Sequence, residues 1–351
     1  MSAIQTEDAS DRLHLSLLSS AKDHDNPNTR LYSYREEAQG QGTWIVIINT
    51  GYNWEQFPEE FGRPNEPRPL VLWNVPEDVR NRELDPDEVE SGLHWPSDSE
   101  IDYGEPFEGV PEGHGTQIAI LAGGMRTGVA RRAGLYLIKA GGAVLNEEEE
   151  VVEEDICSLS LIVALNHIVE KLKDGSLPPG KTVVVIDTLW GIPDVSPDTL
   201  GAEQDYRDWC GQLDQSLEEI DRIGGVLVSL AAGNEGNRDP PGRTGDFMPN
   251  ILSQRNASPL VIVGAVTSQG QLARLTSPAS NSVPITCYAI LCTLGEKIYC
   301  CQICRSSTIL YKAGQPFRQP LWNYPVPDRL NVVCNSCAMH SRTSKKRKAT
   351  A

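Results

Sequence analysis

The chain has 351 residues, 39% of them hydrophobic, which is enough for one large domain or two ordinary ones. Its net charge of −17 argues against non-specific nucleic-acid binding by the whole molecule, because phosphate contacts need a basic face. No apolar run reaches the roughly 18 residues of a membrane span, and residues 1–26 lack a signal-peptide pattern. We expect a soluble globular protein with no nucleic-acid or membrane partner, and its compartment stays undetermined.

Short apolar runs rich in β-branched residues predict the strands of a buried sheet. The first run, Trp44–Ile48, ends at the turn residues Asn49, Thr50 and Gly51. Similar runs follow at Leu135–Lys139, Thr182–Ile186, Val226–Leu230 and Leu260–Val263. The intervening segment 54–110 is rich in Pro, Glu and Asp, which predicts a surface insertion.

Helical periodicity fills the spaces between these runs. Apolar residues recur every three or four positions from Ile156 to Leu172, with Leu159 among them, and again from Tyr206 to Ile223 before Gly224. His114, held between two glycines, opens a further apolar helix. Alternating strands and helices predict an α/β fold with a parallel sheet covered on both faces. Reactive groups then belong at the carboxyl ends of the strands.

An acidic run lies before the helix that starts near Ile156. It comprises Glu147, Glu148, Glu149 and Glu150, with Glu153, Glu154 and Asp155 close behind. Consecutive glutamates cannot all face one ion, and negative charge is favoured near a helix N-terminus. We therefore expect a solvated loop here and no cofactor, with a structural calcium ion as the alternative.

Charge and cysteine content both change near residue 288. From Ala289 to Ala351, ten Lys and Arg residues stand against two Asp and Glu, which leaves 21 against 46 in the rest of the chain. Seven of the nine cysteines also lie from Cys287 onward. This step predicts a boundary between the acidic body and a cysteine-rich basic tail, residues 289–351, of different origin.

The tail contains a pair of CxxC motifs. Its four cysteines, Cys301, Cys304, Cys334 and Cys337, could form a tetrahedral zinc site. The gap between the motifs is longer than usual for a zinc ribbon and holds several prolines, so chance clustering is the alternative. The run Lys345–Lys348 would fit a nucleic-acid or nuclear-import patch, or simply a solvated terminus.

Four sequence blocks in a fixed order resemble the subtilisin-like serine proteases. Residues 47–51 are similar to the family's aspartate block and residues 113–116 to its histidine block. Residues 231–236 are similar to the oxyanion-hole block, and residues 261–265 to the strand that follows it. The resemblance covers roughly residues 43–288. It implies that these residues form a peptidase domain, although an incomplete one, and that residues 1–42 form an N-terminal linker or the remnant of a propeptide.

The resemblance also assigns roles to individual residues. His114 would be the general base, and Asn234 would donate its amide to the oxyanion, an interaction worth about 10²–10³ in turnover in this family. Leu189, Trp190 and Gly191, with Gly233, would bind substrate. Without the family setting, His114 would be interpreted as a packed or surface residue and Asn234 as a turn former.

Two departures from the family pattern predict lost hydrolysis. Asn49 stands where the family has its aspartate; an amide lacks the charge and can select the wrong imidazole tautomer, at a cost of about 10⁴. No Gly-Thr-Ser-x-Ala motif follows Asn234, so the serine helix is missing, and loss of the serine alone costs about 2 × 10⁶. Ser306 and Ser307 lack the surrounding small residues of a nucleophile.

The sequence therefore predicts a serine endopeptidase by family, with hydrolysis absent or strongly impaired in this chain. The alternative is a non-catalytic pseudoprotease that binds peptides. A peptide or protein is the expected partner, and we expect a monomer. The family is often secreted, but nothing in the residues assigns a compartment to this chain.

Overall fold

The computed structural model describes most of the acidic body. Its described residues are 3–12, 14–16, 31–62, 68–80, 84, 86–95, 113–147, 151–191, 200–254, 258–267, 271–294 and 297–300. Residues 301–351 lie outside this part, and with them the four candidate zinc ligands, the serine pair 306–307 and the basic patch 345–348.

The described strands are, in chain order, β1 (Ile4–Asp8), β2 (Leu31–Arg35), β3 (Trp44–Asn49), β4 (Leu70–Asn74), β5 (Gly134–Lys139), β6 (Gly142–Leu145), β7 (Val151–Asp155), β8 (Thr182–Ile186), β9 (Trp190–Gly191), β10 (Val226–Ala231), β11 (Phe247–Met248), β12 (Leu260–Val266), β13 (Cys287–Leu294) and β14 (Lys297–Cys300). The described α-helices are α1 (Pro58–Phe61), α2 (Glu77–Arg80), α3 (Pro86–Glu90), α4 (His114–Gly123), α5 (Ser158–Lys173) and α6 (Leu200–Ile223).

Eight strands form the central sheet in the order β14-β13-β12-β10-β8-β3-β5-β4. Every pairing from β13 to β4 is parallel, and only β14 runs antiparallel to its neighbour. The chain therefore leaves β3 toward one edge of the sheet and builds the other half from β8 onward. Such a reversal opens a crevice at the carboxyl ends of β3 and β8, the usual place for a ligand in an open α/β sheet.

Alternate residues of each strand enter two separate apolar cores. Ile45 and Ile47 pack with α4 on one face, while Val46 and Ile48 pack with α5 and α6 on the other. Because successive side chains of a strand point to opposite faces, only a continuous apolar run can fill both cores. The predicted α/β fold, with helices on both faces of a parallel sheet, is confirmed.

Among the side chains that the structure describes, those of the long helices follow the predicted pattern with one exception. Helix α6 ends at Ile223, and Gly224 takes a positive φ of 78°, as expected for a glycine after a helix end. On α5 the predicted apolar stripe is buried at Ile162 and Leu165, but Leu159 is 49% exposed. Leu159 lies in the first turn of α5, before the helix packs against the sheet. The prediction from periodicity that Leu159 is buried was therefore wrong.

Two predictions about loops were wrong. Strand β4 lies within the proposed surface insertion 54–110, yet it pairs with β5 in the central sheet. All five of its side chains are only partly buried, because the strand lies at the sheet edge. Its flanking residues are charged and rich in proline, so the sequence pattern did not indicate a strand here. Glu153, Glu154 and Asp155 belong to β7, which pairs with β6, rather than to a solvated loop. Glu148–Glu150 lie outside the described residues.

The N-terminal segment packs against the turn that follows α4. Glu7 of β1 pairs with Arg131, whose guanidinium also lies over the rings of Tyr32 and Tyr34 of β2. Leu15 is fully buried in the same apolar core as α4. At the other end of the domain, β13 pairs with β12 from Cys287 and continues past residue 288. Among the described helices, none is long and apolar enough to cross a membrane.

Candidate functional site

The candidate site lies at the carboxyl ends of β3, β8 and β10, three neighbouring strands of the sheet. Ile48 of β3 pairs with Ile186 of β8. The next residues of the two segments are Asn49 and Asp187, which therefore lie side by side. Asn234 comes three residues after the end of β10, the next strand along. The same edge of the sheet therefore carries Asn49, Asp187 and Asn234.

His114 reaches this edge from the first position of α4. Gly115, the next residue, allows the approach: a Cβ there would lie 2.3 Å from the carbonyl oxygen of Gly51 and 2.9 Å from Cβ of Asn49. The Thr116 hydroxyl accepts a 2.8 Å hydrogen bond from the Asn53 backbone N–H, and both residues are buried. The first turn of α4 is thus fixed against the loop after β3.

Asn49 contacts the imidazole through its side-chain oxygen. Its Oδ1 accepts a 2.8 Å hydrogen bond from the Thr50 backbone N–H and lies 3.2 Å from Nδ1 of His114. Because a backbone N–H can only donate, Thr50 determines which end of the amide faces the ring. An amide oxygen in this place can accept a hydrogen bond from a protonated Nδ1, as a carboxylate would, but it brings no negative charge.

Replacing a carboxylate by an amide leaves one donor without an acceptor. The Nδ2 of Asn49 is buried and has no hydrogen-bond partner among the described residues. A buried donor without a partner costs about 1–3 kcal/mol. Asn49 thus lowers the stability of the site as well as removing its charge.

Asp187 faces the other ring nitrogen and was missed by sequence reasoning. Its Oδ2 lies 3.3 Å from Nε2 of His114, and its side chain is completely buried, whereas that of His114 is 17% exposed. The available signal was its position, since Asp187 directly follows the apolar run Thr182–Ile186 just as Asn49 follows the first strand. In a serine-protease arrangement Nε2 is the nitrogen that takes the proton of the nucleophile. Here a carboxylate already occupies that side of the ring.

Two effects on the protonation of His114 oppose one another. Burial lowers the pKa of His114 to about 4, which favours a neutral ring. The adjacent Asp187 carboxylate favours a protonated ring, because a nearby negative charge stabilises imidazolium. A neutral ring carries one N–H and can donate to only one of its two neighbours, Asn49 Oδ1 or Asp187 Oδ2. In this structure the 3.3 Å approach of Asp187 Oδ2 to Nε2 is an electrostatic contact and not a hydrogen bond.

Tyr52 is a buried residue near the site and is also affected by Asp187. Its hydroxyl donates a 2.7 Å hydrogen bond to the Ile47 carbonyl oxygen. Burial, with a smaller contribution from the Asp187 charge, raises the pKa of Tyr52 well above its usual value. Lys139, the buried last residue of β5, pairs in register with Asn49. The strand ends thus gather several ionisable side chains in a poorly solvated place.

The loop that contains Asn234, the predicted oxyanion donor, packs against Ser277. Gly233 has a φ of 103°, and a Cβ on it would lie 2.7 Å from Oγ of Ser277. That hydroxyl accepts a hydrogen bond from the Glu235 backbone N–H. Asn234 itself has a φ of −113°, so Gly233 and not Asn234 takes the left-handed conformation of this loop. Asn234 is half-buried beside the β10 end.

The predicted substrate-binding segment follows Asp187 directly. Leu189 is half-buried, and Trp190 and Gly191 form β9, which pairs antiparallel with Met248 and Phe247 of β11. One edge of β9 is therefore already used, so a peptide that pairs with this segment has to take the other edge. Among the described residues, no group of three or more His, Cys, Asp and Glu side chains could hold a metal ion.

No protein-family model and no curated protein sequence matches the chain. Solved structures that resemble it include a cold-adapted subtilisin-like serine proteinase, 16% identical, with 85% of this chain and 89% of that chain covered and a TM-score of 0.46. The subtilase cytotoxin SubAB is 15% identical over 80% and 78%, with a TM-score of 0.40. The prenylagaramide maturation protease PagA is 11% identical over 73% and 65%, with a TM-score of 0.38.

Proposed function

We propose that this chain is a subtilisin-like pseudoprotease, which binds peptides at the β3, β8 and β10 ends without hydrolysing them. The observation that carries the proposal is the 3.3 Å contact between Asp187 Oδ2 and His114 Nε2. A general base needs its lone pair directed at the nucleophile. In this chain a nucleophile would have to compete with a buried carboxylate for Nε2.

The distribution of charge around the ring also opposes hydrolysis. In a working triad a carboxylate at Nδ1 stabilises the imidazolium that forms during the reaction. The amide of Asn49 keeps the orientation of the ring but supplies no charge at Nδ1. The negative charge of this site lies at Nε2 instead, on the side where proton transfer would take place. The charge is thus on the wrong side of the ring for the family's reaction.

Peptide binding is supported by the position of the site and by the four sequence blocks that resemble the family. The crevice at the reversal of strand order is the usual ligand site of open α/β sheets. Leu189 and the strand β9 lie next to it and offer a half-buried apolar side chain with a backbone edge. Extended peptides commonly bind by adding to such an edge.

Binding can be measured directly with the full chain and a mixture of fluorescein-labelled random octapeptides. Fluorescence polarisation should rise on titration, and the peptides should be recovered intact by mass spectrometry. Leu189→Asp should weaken the binding, whereas Leu159→Asp, at an exposed leucine of α5, should not. Thermal unfolding of both variants checks that they fold. Absence of polarisation change with the wild type would refute the proposal.

A further inference from the structure

Strand β4 forms one edge of the central sheet, and one side of its backbone has no partner strand. Leu135 of β5 donates its backbone N–H to the Pro69 carbonyl oxygen, and the Val75 N–H donates back to β5. The odd-numbered residues of 69–75 therefore face β5, because the backbone groups of a strand point alternately to its two sides. The N–H and C=O groups of the even-numbered residues of 70–74 face outward. Among the described residues, no strand pairs with them.

This edge lacks the features that usually prevent an edge strand from pairing with another molecule. Residues 70–74 are Leu, Val, Leu, Trp and Asn, with no charge and no proline. All five residues of the strand keep part of their surface exposed. Soluble proteins commonly protect such an edge with lysine, proline or a bulge, because its open backbone groups pair readily. An apolar edge without this protection is expected to be covered by a partner strand.

We propose that β4 pairs antiparallel with β4 of a second copy of this chain, about a two-fold axis at Leu72. Leu72 then lies opposite the partner's Leu72, and Leu70 lies opposite the partner's Asn74. These are the outward-facing residues, and each such pair exchanges two N–H···O bonds in an antiparallel ladder. The dimer takes the place of the monomer that the sequence led us to expect.

The residues next to the strand favour this register over its neighbours. A shift by two residues in one direction puts Pro76 opposite Leu70, and proline has no N–H to donate. A shift in the other direction puts Arg68 opposite Asn74, but Arg68 is buried at a bend outside the strand. Pairing about Leu72 is therefore the register that uses all the outward-facing residues of β4.

Side chains and charges fit the same arrangement. On the α5 face of the sheet, Val71 lies opposite the partner's Trp73, and β-branched and aromatic residues form favourable cross-strand pairs. The Trp73 ring is already held in place by His167 of α5, with 3.7 Å between the ring centroids. Residues 63–69 contain two Arg and one Glu, whereas residues 75–80 contain one Arg, one Glu and one Asp. Antiparallel pairing therefore sets the basic end of each β4 beside the acidic end of its partner.

Sedimentation velocity on the full chain tests the dimer. The measurement is made at about 0.3 M NaCl, because the net charge of −17 on each copy opposes association at low salt. We expect the mass to rise from 38.5 kDa toward twice that value as the protein concentration increases. A chain that keeps the monomer mass at about 100 μM would overturn the proposal.

Hydrogen exchange shows whether β4 is the surface that pairs. The backbone amides of residues 70–74, followed by mass spectrometry, should exchange more slowly as the dimer forms. A dimer without this slowing would use another surface and would overturn the proposal. Slow exchange in a monomer would mean that another segment of the same chain covers the edge, which would also overturn it.

A pair of variants at Asn74 tests the backbone contact. Asn74→Pro removes the N–H that would donate to the partner's Leu70, and an edge strand tolerates proline where its N–H faces outward. Asn74→Thr keeps this N–H and is the matched control. We expect the dimer to weaken by at least about tenfold in Asn74→Pro and to change by less than about twofold in Asn74→Thr. Equal weakening would overturn the proposal. Thermal unfolding checks both folds, and hydrogen exchange of the wild type decides the question if Asn74→Pro does not fold.

The dimer is independent of the proposed peptide binding. Strand β5 lies between β4 and β3, so pairing along β4 leaves the strand ends of the cleft open. A monomer that binds octapeptides would refute the dimer alone. Conversely, a dimer that binds no peptide would refute only the proposed function.

Discussion

Asn49 and Asp187 directly follow Ile48 and Ile186, which pair in register on the neighbouring parallel strands β3 and β8. Their side chains contact opposite nitrogens of the same imidazole. The amide is at Nδ1 and the carboxylate is at Nε2 of His114. This arrangement exchanges the places of the charged and uncharged partners relative to a serine-protease triad. It orients the ring but leaves Nε2 engaged, which is why we propose binding without hydrolysis.

Asn49→Asp should raise the pKa of His114 by about 1–3 units, because a carboxylate at Nδ1 stabilises the protonated ring. Titration of the ¹⁵N-labelled histidine measures this shift. Hydrolysis should not appear, since Nε2 would still face Asp187. Asn166→Asp, on the exposed side of α5, is the matched control and should leave His114 unchanged. A pKa that does not move would show that the Asn49 contact is not formed in solution.

Gly115→Ala should destabilise the protein by about 1–3 kcal/mol, because the new methyl group meets the Gly51 carbonyl and forces α4 away from β3. Urea unfolding measures the change. Gly211→Ala is the control: a Cβ at this position of α6 meets open space, so the better helix propensity of alanine should stabilise the fold by about 0.5–1 kcal/mol. Equal effects of the two substitutions would contradict the close approach of His114 to Asn49.

Glu60→Ala should cost about 2–4 kcal/mol in the free energy of unfolding. The buried Glu60 carboxylate accepts hydrogen bonds from the backbone N–H groups of Arg126 and Thr127, and its removal leaves these donors unsatisfied. Glu59→Ala, at the exposed neighbouring glutamate, should change stability by less than about 0.5 kcal/mol. If both variants unfold at the same urea concentration, Glu60 does not hold this turn.

His14 should make the fold less stable in acid. Its Nε2 lies 2.8 Å from the Thr127 carbonyl oxygen, and burial lowers its pKa from 6.5 to about 4. The unfolded chain therefore binds a proton between pH 6.5 and 4 that the folded chain does not. The stability due to the neutral ring is fully present above pH 6.5 and declines by about 3 kcal/mol as the pH falls to 4.

Urea unfolding of wild type and His14→Gln at several pH values isolates this contribution, since other groups titrate alike in both proteins. The wild type should be the more stable protein at pH 7, and its advantage should shrink by about 3 kcal/mol toward pH 4. A difference that is independent of pH would mean that His14 is not buried as a neutral ring.

Most of the sheet could be predicted because its central strands are continuous apolar runs. Strand β8 has the predicted bounds, and β3, β5, β10 and β12 differ from them by one to three residues. Strand β4 was missed because it lies at the sheet edge, where its side chains are only partly buried and the flanking residues are charged. Apolar content therefore predicts central strands better than edge strands.

The site could be predicted only where a residue lies in a recognisable local setting. His114 stands between glycines, and Asn49 and Asn234 belong to blocks that resemble a family. Asp187 has no such setting, and its contact with His114 depends on the pairing of β8 with β3, which joins residues far apart in the chain. The rule that strand ends carry reactive groups applied to Asp187 equally well, but the sequence did not show which strand lies beside β3.

The most direct test of the account is labelling of the purified full chain with a fluorophosphonate probe, with a heat-denatured sample as the control for non-specific reaction. Such probes react rapidly with a serine hydroxyl that a general base activates. Because Asp187 engages Nε2 of His114, we predict no labelling above that of the denatured control. Specific labelling of any serine, including Ser306 or Ser307, located by peptide mass spectrometry, would contradict the account and indicate a working hydrolase.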